Sequence, residues 1–226
     1  MTFDTDPVNG GAQGGGGVWQ EGVQSNWHNG TSNAKWHNDS ENPATFGGAT
    51  GAATVSVAGT VQAKSLRFKS SGYTLEGGTI ELTEGTIRAD GDAAIESTLV
   101  TAGQLVKEGL GELTISGVQV HQPGTDIEVL AGGLVLGSDV GVGVSIDVRS
   151  GASLVLDASQ HLESLGIRGT GSVKLTPGGG KVLVLDSLVF TDFEIAPTTN
   201  VPEPGGLAVV VSGLAAGLVG RRRRMD

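Results

Sequence analysis

From about Ala52 to Val189, short runs of β-forming residues alternate with Gly, Asn, Asp and Ser. The runs read as strands over Ala53–Val57, Ala63–Phe68, Thr79–Leu82, Thr86–Ala89, Ser97–Thr101, Glu112–Ser116, Asp126–Leu130, Leu134–Leu136, Ser145–Val148, Ser153–Leu156, Ser172–Leu175 and Val182–Leu185. Turn residues bound each of them. Apolar and polar positions alternate in Thr79-Ile80-Glu81-Leu82 and in Leu113-Thr114-Ile115-Ser116. A period of two puts one face of a strand inside and the other in water. No window outside the C-terminal tail carries the spacing of an amphipathic helix.

A longer period overlies the short one. GGLVLG from Gly132, SGASLVLD from Ser150 and GTGSVKLT from Gly169 align, and Ile115, Leu136, Leu156 and Leu175 recur at spacings of 21, 20 and 19. A unit that short cannot bury its apolar face alone, so it must stack on copies of itself. The pattern predicts an all-β body built as a β-solenoid over residues 52–196, with a β-sandwich or jelly roll as the alternative.

The flanks differ from the body. Residues 1–17 are Gly-rich and poor in apolar side chains, and read as a flexible leader. They show no secretory signal peptide, so an exported chain with this start would be a fragment or carry a misplaced start codon. Residues 18–51 hold all three tryptophans, Trp19, Trp27 and Trp36. These would plug the open end of the stack, or stack on sugar rings as a carbohydrate contact. Residues 197–226 form a separate tail: Val201-Pro202-Glu203-Pro204, an uncharged 16-residue run from Gly205 to Gly220, then Arg221, Arg222, Arg223 and Arg224. As a helix the run would reach roughly 24 Å, short against a hydrocarbon core of about 30 Å. It spans as a transmembrane helix only with thinning or snorkelling, and the arginines stop transfer on the cytoplasmic side.

Composition narrows the function. Glycine accounts for 39 of 226 residues without the collagen triplet, and cysteine is absent, so disulfide and thiolate chemistry are excluded. The net charge is −10, and residues 1–200 alone carry 10 basic and 22 acidic groups, a balance of −12. Such a body is no nucleic-acid binder. His28 and His37 lie near Asp39 and Glu41, but without zinc-finger or HExxH spacing. Asp90 and Asp92 lack the further acids of a calcium loop. There is no GxSxG, thiol nucleophile or phosphate loop. The expectation is no catalytic residue, no metal and no cofactor. Lys64, Arg67 and Lys69 form the one basic cluster of the body. Asn29-Gly30-Thr31 and Asn38-Asp39-Ser40 fit glycosylation sequons.

Two segments resemble known families. Val201–Pro204, the apolar span and the terminal arginines, in that order, resemble the PEP-CTERM sorting signal of Gram-negative bacteria that make extracellular polysaccharide. That resemblance implies recognition and cleavage by exosortase, passage through the inner membrane, and delivery to the cell surface. Leu105–Gly137 is similar to the autotransporter-associated β-strand repeat at Leu105, Lys107, Gly109, Gly111, Leu113, Thr114, Ser116 and Gly117, then at Gly133, Leu134, Leu136 and Gly137. It departs at Val120–Gly124. This repeat implies a right-handed parallel β-helix at the cell surface. The expectation is an exported, non-enzymatic structural or adhesin-like protein with exosortase, the membrane and extracellular polysaccharide as partners. The alternative is a polysaccharide-degrading or carbohydrate-binding β-helix.

Overall fold

The computed structural model describes residues 1–6, 8, 11–38, 41–49, 51–176, 178–192 and 209–211. Its strands form one 14-stranded and one 8-stranded sheet. From residue 44 to 191 every strand pairing is parallel, and neighbours lie one coil apart in sequence. This is the parallel β-solenoid that the repeat predicts. A sandwich or jelly roll would pair its strands antiparallel.

Each coil has three walls. The 8-stranded sheet is the first. The larger sheet supplies the other two, because its long strands bend at a corner. In Thr79–Ala89, the first half pairs with Thr98–Thr101 and the second half with Leu105–Glu108. The sequence places separate strands at Thr79–Leu82 and Thr86–Ala89; the structure joins them through Thr83–Gly85.

The long period is the stacking register. Ile115 pairs with Leu136, Leu136 with Leu156, and Leu156 with Leu175. The same column runs back through Ile95 and Leu75 to Val55. All but Leu175 are fully buried. A coil difference of 19 to 21 residues is absorbed at the corners, while the wall positions stay aligned.

Met1–Phe46 closes one end of the stack. Thr2–Phe3 pairs antiparallel with Trp27–His28, which pairs antiparallel with Asn33–Ala34. Trp19, Trp27 and Trp36 gather with Phe3, Phe46, Phe68 and Tyr73, all without exposed surface. Trp27 and Trp36 have ring centroids 4.4 Å apart, and Phe46 stacks on Phe68 at 5.3 Å. The flexible leader expected over 1–17 is corrected in its described part. Phe3 completes the aromatic cluster, Thr2 pairs with Thr45, and the Met1 ammonium donates to Pro43 O at 2.7 Å.

At the other end, Val209–Val211 is a strand pairing in parallel with Leu183–Leu185. These three residues belong to the run expected as a transmembrane helix. The rest of that run, with Val201–Pro204 and Arg221–Arg224, lies outside the described residues. Among the described residues no helix is long and apolar enough to cross a membrane.

Candidate functional site

The third wall carries a ladder of paired surface charges. On Asp126–Val129, alternation sends Ile127 and Val129 into the core and leaves Asp126 and Glu128 outside. One coil on, Ser145 and Asp147 lie over them, followed by Ser164 and Gly166 on the next coil. These small residues leave a groove of ≈ 360 Å³, lined also by Arg168 and Thr191. Gly166 forms part of its floor. A Cβ there would come within 3.2 Å of Asp147 Oδ1.

Glu128 and Asp147 along the groove are each paired with an arginine. Arg149 Nη2 donates to Glu128 Oε1 at 2.7 Å. Arg168 Nε meets Asp147 Oδ1 at 2.9 Å and Oδ2 at 2.8 Å. Those pairs tie successive coils on the outer surface. Both arginines are partly exposed, so solvent screens each pair and weakens it. A second ladder lies nearer the cap. Arg67 and Arg88 both bind Asp90, at 2.8 and 2.7 Å, and Arg88 reaches Glu108 at 3.7 Å. The Arg67 guanidinium, more than Arg88, holds the Asp90 carboxyl below the usual carboxylate range.

The sequence-derived candidates separate in space. Lys64 pairs with Glu84 at 3.1 Å while Arg67 turns to Asp90, so two members of the basic cluster are drawn into separate ion pairs. Asp92 ties its coil to the next, its Oδ1 accepting from Glu112 N at 2.8 Å. His37 sits 3.5 Å from Glu21, and Asp39 lies outside the described residues. Among the described residues no three His, Asp or Glu side chains converge as a metal site. The sugar-stacking expectation for Trp19, Trp27 and Trp36 is corrected: all three rings are fully buried, and a ring without an exposed face cannot receive a sugar. The positions match the plug.

Lys107 is the unexpected residue. It stands in an inward column between Ile87 and Val129 and is 1% exposed. Its ammonium donates to the carbonyls of Gly109 at 2.9 Å, Gly111 at 2.7 Å and Ala131 at 2.8 Å. All three donors are used. Burial pushes its pKa down to about 8, against the pull of Asp92 and Glu112, so it stays charged at neutral pH. The lysine therefore fastens the corner between the third and first walls, across two coils. Gly109 (φ 81°) and Gly111 pass so close to the coil below that a Cβ at Gly109 would overlap the Ala89 carbonyl, and one at Gly111 would lie 2.5 Å from Gly91 C.

The comparisons with known proteins follow this architecture. No protein-family model matches the chain, and no solved structure matches it. Over 151 residues, 64% of this chain, it is 29% identical to the adhesin BmaC autotransporter of Brucella suis biovar 1 (strain 1330). The aligned part is 4% of that protein. Together with the parallel solenoid, this weak match agrees with the repeat resemblance at Leu105–Gly137.

The groove residues Asp126, Glu128, Asp147 and Arg168, and Arg149 beside them, were not singled out from the sequence. The signal that finds them is the coil period applied to polar positions. Glu128, Asp147 and Gly166 are successive members of one outward column.

Proposed function

We propose that this chain is an exported cell-surface or extracellular-matrix protein with a structural, adhesin-like role. It is sorted through its C-terminal PEP-CTERM signal by exosortase, held in the inner membrane before processing and released to the surface afterwards. The observation that carries the reading is the uninterrupted parallel stack, from Val55 to Leu175 in one register, together with the partial match to an adhesin autotransporter. A stack of this kind makes a long surface from short coils, and that surface is what an adhesin presents.

A non-enzymatic role is favoured over a polysaccharide-degrading one by the state of the groove. Retaining and inverting hydrolysis both need two carboxyl groups facing the scissile bond. Here two of the three groove carboxylates, Glu128 and Asp147, are held by arginines of their own wall, which leaves Asp126 without the second carboxylate that hydrolysis needs. Extracellular polysaccharide remains the proposed matrix partner, meeting the outer walls rather than the tryptophans.

The test is to express the full chain in cells with and without exosortase, label surface proteins on intact cells, and measure the mass of the C-terminus. The expected result is a surface-labelled chain shortened near Val201–Pro204 only where exosortase is present. An intact C-terminus in both strains overturns the sorting route, and an unlabelled chain in both overturns the surface role.

A further inference from the structure

We infer that the Asn29–Gly30 turn of the cap is a self-modifying site, at which the backbone nitrogen of Gly30 displaces the side-chain amide of Asn29. The turn joins the antiparallel strands Trp27–His28 and Asn33–Ala34, with Trp27 opposite Ala34 and His28 opposite Asn33. It is closed by Asn29 N donating to Ser32 O at 3.0 Å. Asn29, Gly30, Thr31 and Ser32 are exposed, whereas the neighbouring Trp27 is fully buried. The reactive groups therefore meet water on a rigid support.

Three contacts prepare the reaction. Gly30 N donates to Nδ1 of His28 at 3.2 Å, which makes that ring nitrogen an acceptor and sets a base on the proton the nucleophile must lose. Asn29 Oδ1 accepts from Thr31 N and from Ser32 N, both at 3.0 Å. Two backbone donors on one carbonyl oxygen stabilise the negative charge that develops there during attack. Gly30 has φ 105° and no heavy atom within 4 Å of the place a Cβ would take. It brings no side chain to obstruct the approach.

The step balances without an external oxidant or reductant. The bond from Gly30 N to Asn29 Cγ forms and the bond from Cγ to Nδ2 breaks. The Gly30 amide proton passes to His28, a proton is delivered to the departing nitrogen, and ammonia leaves. Water then opens the five-membered imide at either carbonyl, giving aspartate or isoaspartate at position 29. Each product adds a negative charge to the cap, and the second also lengthens the main chain by one carbon.

The experiment is to incubate the purified full chain at neutral pH and follow the peptide containing Asn29 by mass spectrometry, with isoaspartate detected enzymatically. H28Q keeps a hydrogen-bond acceptor but removes the base. Folded wild type should react about tenfold or more faster than folded H28Q, while the two should react at the same rate in denaturant. Circular dichroism confirms that H28Q retains the β-fold. Equal rates in the two folded proteins, or a folded wild-type rate no higher than the denatured one, overturn the inference.

Discussion

Lys107 shows how one residue can be read two ways. In an inward column of aliphatic side chains a charged group is expensive unless every donor is satisfied. Here three carbonyls from two coils satisfy it. Removing the ammonium orphans those carbonyls at a corner where Gly109 and Gly111 already press on the coil below. K107A should lower the stability of the body by about 2–4 kcal/mol, and K107M, which restores only volume, by a smaller amount in that range. Urea unfolding followed by circular dichroism checks both. The lysine and its glycines were legible as members of a repeat, but not as a fastener. Composition shows that a charge is present, and only the register shows that its column is buried. The same limit applied to Trp19, Trp27 and Trp36. The sequence left them between plugging the open end and stacking on sugars, and the chain folds all three rings inward.

At the scale of the element, the second wall has a gap. Ser138–Gly143 contains no strand, although the coils before and after it do, at Gln119–His121 and Gln160–Arg168. Side chains take the place of the missing ladder. Gln160 accepts from Val140 N at 3.0 Å and donates to Ser138 O at 2.8 Å, and Gln119 donates to Ser138 Oγ at 3.0 Å. His121 joins the seam through Thr101 Oγ1 at 2.7 Å and Gln119 Oε1 at 3.3 Å. Burial there pushes the His121 pKa from 6.5 down to about 4. The unfolded chain therefore binds a proton that the folded chain refuses, and stability present above pH 6.5 is lost as the pH falls toward about 4. Wild type should lose about 1–3 kcal/mol more than H121N across that window, measured by urea midpoints at several pH values. This seam was hidden from pattern reading because Gln and His inside a wall break the alternation that marks strands. The departure of the repeat at Val120–Gly124 was its only trace.

At the scale of the molecule, the stack depends on its lid. The first coils would expose Phe46 and Phe68 to water if the aromatic cluster were withdrawn. W27A deletes a ring in contact with Phe3, Trp19, Trp36 and Phe46, and should cost about 3–5 kcal/mol. Loss should begin at the cap and pass to the neighbouring coils, since each coil touches chiefly the next. Hydrogen exchange resolves this order: protection should fall first in Thr60–Phe68 and last near Gln160–Arg168. The architecture itself was the most legible feature, because a stacked fold writes its geometry into one repeating distance. The residue-level content of the groove was the least legible, since it arises from side chains contributed by four successive coils.

The aligned column from Val55 to Leu175 has a corollary for how such a chain changes over time. Since the backbone ladder of one layer accepts any layer of matching width, copying a whole layer extends the body by about 4.8 Å and leaves both extremities untouched. Deleting a single residue inside a wall strand, by contrast, turns its greasy side outward. Length is thus the dimension along which this protein tolerates gain and loss, and it is the trait that gene duplication can tune most directly.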